Sequence, residues 1–579
     1  MPVRTDDATS PEPGEWWKRA VVYQIYPRSF QDSDGDGIGD LPGITSRLDH
    51  LELLGVDVVW LSPVYPSPMV DNGYDIADYR DVDPLFGTLE DMRALIRRAH
   101  ERGIRIVMDL VVNHTSDQHP WFQESRDPSS PRRDWYHWRP ARPGATPGTP
   151  GAEPDDSSAA FHPSAWHFDE TSGEYYFAMF SPGQPDLNWE NPAVRAAVHD
   201  LMRFWIDLGV DGFRMDVINL ISKPESFTRP GPIEPGAGDW RAIANGPRLD
   251  EFLAEMNREV GLHLLDLLTV GEMPDSTIEV AQRVTDPERR ELNMVFTFEH
   301  MAIDQRADGD KWDVVELDLP ALKRNLAAWQ YGLADAGWNS LYFGNHDQPR
   351  VVSRFGDDAP EHRVASAKAL ATVLHLHKGT PYVYQGDELG MTNYPFATVE
   401  DFADIESLHA YRRRTEAGQP EDAVLAALSA KGRDNARTPL QWDDTPGAGF
   451  TTGTPWLPVN PNHVEINAKA QVDDPDSVFH HYRRLVRLRH EDPTVQLGRF
   501  ELLLPDDDRI WAFTRTLDDD CLLVLANCSS TPTPVPLDEV PPLDDATTVL
   551  VNDSSGDPSV LGPWEARVLR LASPRGGRR

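Results

Sequence analysis

The stretch Ile104-Arg105-Ile106-Val107-Met108-Asp109-Leu110-Val111-Val112-Asn113-His114 is an apolar, β-branched run that breaks on polar residues. A run of this length reads as a buried strand rather than a helix. Seven more runs of the same kind stand at 21–26, 56–61, 212–217, 267–270, 294–298, 340–343 and 381–384. Helical periodicity fills the intervals. Leu89, Met92, Leu95, Ile96 and Ala99 share one face, and Val194, Val198, Leu201, Trp205 and Leu208 share another. Strands alternating with helices predict an α/β fold, a closed parallel (β/α)8 TIM barrel.

Two regions leave that rhythm. The third strand is followed by an excursion over 115–184, rich in Trp, Tyr, Pro and Gly, that includes the low-complexity piece 139–158. It is too long for a simple loop and reads as a small inserted domain after the third strand. From about 495 the periodicity shortens to strands at 502–504, 510–514, 522–526 and 568–571, which predicts a C-terminal all-β domain, a sandwich. The expected division is therefore a barrel over 1–114 and 185–494, the inserted domain over 115–184, and the β domain over 495–579. The Pro/Gly/Arg-rich ending 573–579 is expected to fray.

Composition narrows the partners. The formal net charge is −39, which disfavours nucleic acid and anionic lipid, both bound by clustered positive charge. A small neutral ligand is compatible with such a surface. No apolar h-region occupies 1–20, and no stretch of about 18 apolar residues spans a membrane. Cys521 and Cys528 are the only cysteines, too few for a disulfide framework or a metal cluster. These features lead us to expect a cytoplasmic protein; the oligomeric state, monomer or homo-oligomer, is left open.

The chemistry gathers at strand ends. In a parallel barrel, polar residues at the C-terminal ends of strands face the active site. The third strand ends on Asp109 and then Asn113-His114, the fourth reads Gly212-Phe213-Arg214-Met215-Asp216, the fifth gives Gly271-Glu272, and the seventh Asn345-His346-Asp347. One acid so placed means little. Four such ends in register are hard to explain by packing, because clustered carboxylates destabilise a fold.

These segments resemble the signature regions of family 13 glycoside hydrolases, the α-amylase clan, from about Trp16 to the C-terminus. Gln184-Pro185-Asp186-Leu187-Asn188-Trp189, Gly39-Asp40-Leu41-Pro42-Gly43-Ile44, residues 212–223 and Asp434-Asn435-Ala436-Arg437-Thr438-Pro439 are similar to its oligo-1,6-glucosidase branch. The resemblance implies Asp216 as nucleophile, Glu272 as acid and then base, and Asp347 as stabiliser of an oxocarbenium-like transition state. A retaining pair must stand about 5–5.5 Å apart. Neighbouring carboxylates are expected to raise the pKa of Glu272, and Arg214 to keep Asp216 ionised. The resemblance further implies His114 and His346 on glucose hydroxyls, Tyr74 and Phe161 stacked on the ring, Gln184 in the pocket, and Asp71 with Arg437 gripping the terminal glucose.

Asp32, Asp34, Asp36 and Asp40, with the Ile38 carbonyl, look like the structural Ca2+ loop of the resembled enzymes. Val217, after the nucleophile, matches relatives active on α-1,6 links. The implied activity is that of a retaining exo-α-glucosidase on small neutral oligosaccharides. An α-1,4-glucosidase or a transglycosylating glucosidase is the alternative. Two features depart from the pattern. The segment 155–163 lacks an expected Trp, and Asp308-Gly309-Asp310-Lys311-Trp312 stands where sucrose isomerases carry arginines, against isomerisation. A non-catalytic transporter subunit of this fold would have a membrane helix and lack the acids, and this chain does neither.

Overall fold

The computed structural model describes residues 15–224, 243–553 and 557–572; the ending 573–579 lies outside them. In chain order the strands are β1 (Val22–Ile25), β2 (Val58–Leu61), β3 (Arg105–Val111), β4 (Trp138–Arg139), β5 (Trp166–Asp169), β6 (Glu174–Phe177), β7 (Gly212–Asp216), β8 (Leu268–Glu272), β9 (Met294–Phe296), β10 (Ser340–Leu341) and β11 (Thr380–Tyr384). Eight of them form one sheet in the order β10-β11-β1-β2-β3-β7-β8-β9. A parallel bridge between Val295 and Asn339 joins its two ends, which closes the barrel. Each expected run became a barrel strand, because strands covered on both faces read as continuous apolar segments.

Helices cover the barrel as their patterns require. Helix Leu89–Glu101 opens on a capping box between Thr88 and Asp91 and buries Met92, Leu95, Ile96 and Ala99. Helix Pro192–Leu208 buries Val194, Val198, Leu201 and Trp205 and stops at Gly209, whose φ of 112° favours glycine. At Gly212 a Cβ would meet the Leu268 carbonyl oxygen at 2.1 Å, so glycine lets β7 lie against β8. That close approach matters because β7 ends on Asp216 and β8 on Glu272.

The inserted segment folds as an antiparallel sheet, β4-β6-β5. Its core joins Ala152, Ala165, Trp166, Tyr175, Phe177 and Met179 to Val217 and Leu220 of the barrel, so the insert packs directly onto the catalytic strand end. The C-terminal part holds β12 (Arg499–Leu503), β13 (Ile510–Leu517), β14 (Asp520–Asn527), β15 (Thr533–Pro534), β16 (Thr547–Val551), β17 (Val560–Leu561) and β18 (Ala566–Arg570). They form a five-stranded sheet, β12-β13-β14-β18-β16, and a two-stranded one, β15-β17. The expected boundary at 494/495 falls inside helix Pro493–Leu497, and the β domain begins instead at Arg499. Cys521 and Cys528 are free thiols. Among the described residues no helix is long and apolar enough to cross a membrane.

Candidate active site

Adjacent parallel strands bring the two central acids together. Met215 of β7 pairs with Gly271 of β8, so the next residues, Asp216 and Glu272, end the two strands side by side. Neighbouring strands lie about 4.8 Å apart, close to the spacing of about 5–5.5 Å that a retaining pair needs. Arg214, two residues back on the same strand face, donates to both acids, from Nη1 to Asp216 Oδ1 at 2.6 Å and from Nη2 to Glu272 Oε1 at 2.5 Å. Its Nη1 also reaches Asp109 Oδ1 at 2.8 Å. The Tyr74 hydroxyl donates to the other oxygen of Asp109 at 2.9 Å.

Burial dominates the electrostatics. It pushes Glu272 up to about 8, with Asp216 and Asp347 adding to the rise and Arg214 opposing it. The neighbouring carboxylates expected to do this are therefore secondary to desolvation. Asp216 is likewise raised to about 7 by burial, against the pull of Arg214, so the guanidinium limits the rise rather than holding the carboxyl low. Burial also favours the neutral form of Asp347, but His346, Arg433 and Arg437 outweigh it and hold this carboxyl well below the usual range. One acid of the trio is thus kept protonated most strongly and another kept ionised, which is the separation acid–base catalysis requires.

A pH dependence follows. As the expected acid, Glu272 would act protonated, a state lost as pH rises through about 8. As the expected nucleophile, Asp216 would act ionised, a state lost as pH falls through about 7. A profile of kcat/KM against pH is expected to be a narrow bell between those values, its limbs belonging to the coupled pair. A plateau extending well above pH 9 would contradict Glu272 as the acid.

The three acids line a cavity of about 650 Å3, together with Asp71, Tyr74, His114, Phe161, Gln184 and Val217. Gln184 Nε2 donates to Asp71 Oδ2 at 3.2 Å, and His114 Nε2 lies 3.0 Å from the Tyr74 carbonyl oxygen. Val217 adopts φ 34°, in the left-handed region that β-branched residues avoid. This turn aims its N–H at Glu272 Oε2, 3.0 Å away.

Two expectations are corrected. Asp71 does not pair with Arg437. Its partner is Arg433, whose Nη2 stands 3.0 Å from Asp71 Oδ1, and which also reaches Asp347 at 3.2 Å and Asp404. Arg437 is buried behind Asp347, donating to it at 2.9 Å and to the His346 carbonyl at 3.0 Å, and does not line the cavity. The two arginines are four residues apart and share a helical face, and the one that lines the cavity is the one that meets Asp71. His346 is also off the cavity wall. Its Nε2 faces Asp347 at 3.1 Å and its Nδ1 faces Gln24 at 2.8 Å, so both ring nitrogens are engaged beside Asp347.

Phe180, unforeseen, joins the wall 5.1 Å from the His114 ring and 6.1 Å from Phe161. In the departing segment Asp155 accepts from the Trp166 indole at 3.0 Å, so the local tryptophan packs inward. Gly309, Asp310 and Lys311 also reach the cavity. In the loop after β1, carboxylate oxygens of Asp32, Asp34 and Asp40 lie within 4.8 Å of one another. Asp36 stands outside that group and accepts the Ile38 N–H at 2.8 Å.

Paired carboxylates of this kind, buried at the C-terminal end of a (β/α)8 barrel, define an enzyme that cleaves glycosidic bonds. The alpha-amylase catalytic domain matches residues 24–498, and the chain belongs to that family of glycoside hydrolases. The oligo-1,6-glucosidase of Parageobacillus thermoglucosidasius is 52% identical over 573 residues, covering 96% of this chain and 99% of the relative. The crystal structure of Bacillus licheniformis trehalose-6-phosphate hydrolase superposes with a TM-score of 0.89 at 46% identity, over 96% and 100% of the two chains. That of the trehalulose synthase from Pseudomonas mesoacidophila MX-45 gives 0.90 at 41% identity, over 97% and 100%.

Proposed function

We propose that the protein is a retaining exo-α-glucosidase that releases α-D-glucose from the non-reducing end of short α-glucosides, α-1,6 links preferred. The observation that carries this reading is the Asp71–Arg433–Asp347 network on the cavity lining, which we read as the wall behind a single terminal sugar ring. Such a wall would keep a polymer from threading through the site. In the first step an Asp216 oxygen bonds to the anomeric carbon as the glycosidic bond breaks, and the Glu272 proton goes to the leaving oxygen. In the second, Glu272 takes a proton from water, whose oxygen displaces Asp216 and restores the α-configuration.

Val217 supports the linkage preference. It lines the cavity directly after Asp216 and packs against the core of the inserted domain, which supports a role for its shape in substrate choice. Initial rates on isomaltose, maltose, sucrose and soluble starch test the reading. Isomaltose is expected to be cleaved fastest and starch scarcely at all; release of maltose from starch would refute exo action, and a maltose preference would refute the α-1,6 reading.

A Ca2+ ion is part of the same proposal, held by Asp32, Asp34 and Asp40 with Asp36 and the Ile38 carbonyl, and it would supply cross-linking rather than chemistry. Asp32 accepts the N–H groups of Gly35 at 2.7 Å and Gly37 at 2.9 Å and bonds Thr451, tying this loop to a distant segment. Chelation is expected to lower Tm while sparing activity at low temperature; an unchanged Tm in verified metal-free protein would exclude the site. The free thiols of Cys521 and Cys528 suit a cytoplasmic setting.

A further inference from the structure

Among the described residues, every cation on the cavity lining is already engaged. Lys311 Nζ stands 2.6 Å from Glu406, and Lys431 Nζ stands 2.6 Å from Asp304. Arg354 grips the same Asp304 carboxylate at 2.8 and 2.9 Å. Arg433 is held by four carboxylates, those of Asp71, Asp347, Asp404 and Glu406. On the same lining Glu299 accepts only from Asn325 and Trp329, and the exposed Asp275 has no cation within ion-pair reach among the described residues. A phosphate group would bring roughly two negative charges and demand free, converging N–H donors. Here it would meet spent cations and unneutralised carboxylates.

We propose that Glu406 and Asp304 are specificity-determining residues: by holding Lys311 and the Arg354–Lys431 pair, they leave the described cavity lining without a free cation and exclude substrates whose leaving sugar is phosphorylated. The inference rests on the α-glucosidase reading and deepens it. Lys311 is the cation most readily released. Burial lowers Lys431 to about 7, so that side chain carries a weakened charge near neutrality. Losing Glu406 leaves Arg433 with its other three partners and frees Lys311 alone.

The matched pair for the test is maltose and maltose phosphorylated on O6 of its reducing glucose, with isomaltose run in parallel. Wild-type enzyme is expected to prefer unphosphorylated maltose by about a hundredfold or more in kcat/KM, as like-charge juxtaposition dictates. Glu406→Gln should narrow that ratio by about tenfold and Glu406→Asp should not, since only the first removes the charge. Added salt should narrow the wild-type ratio too. Where the glutamine variant does not fold, the salt series and competition by glucose against glucose 6-phosphate on wild type decide the matter. A wild-type ratio within about threefold of unity, or one that neither salt nor Glu406→Gln moves, would overturn the proposal. Failure on isomaltose would strike the α-glucosidase reading instead, and binding of glucose and glucose 6-phosphate would still report the charge selection.

Discussion

Asp216→Asn is expected to lower kcat on isomaltose by at least about four orders of magnitude, or about 5 kcal/mol of transition-state stabilisation. An amide oxygen cannot form the glycosyl ester, and Glu272 alone cannot replace the lost bond. The fold should not suffer. Burial raises Asp216 from the ordinary carboxylate range to about 7. A group whose native pKa lies above its unfolded value stabilises the fold only while protonated. Its contribution is complete below about pH 4 and is lost as pH rises to about 7. At the working pH the ionised carboxyl therefore opposes folding, and asparagine removes that opposition while Arg214 keeps Asp109 and Glu272 as partners. Initial rates and thermal melts of the same preparation check both halves: Tm should match or exceed the wild type. Near-normal turnover in a folded variant would remove Asp216 from the mechanism.

Arg433→Ala is expected to lower kcat/KM by about a hundred- to a thousandfold, raising KM and lowering kcat together. The side chain holds Asp71, Asp347 and Asp404, all buried or facing the cavity, and breaking such a pair costs about 3–5 kcal/mol. Part of that loss falls on the grip around the terminal glucose, which also aligns the scissile bond. Arg433→Lys should not restore activity, because one ammonium cannot reproduce the fork that serves three carboxylates. Arg437→Ala should act differently, lowering Tm more than it raises KM, since Arg437 braces Asp347 and the His346 carbonyl from behind. Steady-state kinetics and melts of the three variants decide. A larger KM effect from Arg437→Ala than from Arg433→Ala would contradict the assignment of the grip.

The barrel was legible because parallel strands buried on both faces leave unbroken apolar runs, and the clustering of Asp216, Glu272 and Asp347 because such acids follow those runs. Asp216 and Glu272 could be placed side by side from sequence alone. Tertiary choices were not legible in the same way. Arg433 and Arg437 share a face of one helical turn, and only the approach of Asp71, 362 residues earlier in the chain, separates them. The acids around Glu272 were visible, but burial, the larger influence, depends on the inserted domain closing over the strand ends. A left-handed valine cannot be read from local sequence, since propensity argues against it. The domain boundary, by contrast, carried its own punctuation: Pro493 opens the last helix and Gly498 follows its end.

The central claim is a retaining double displacement at Asp216 and Glu272, and proton NMR of the glucose first released from isomaltotriose tests it most directly. The account predicts the α-anomer in the earliest spectra, before mutarotation supplies the β form. Glucose appearing first as the β-anomer would contradict it.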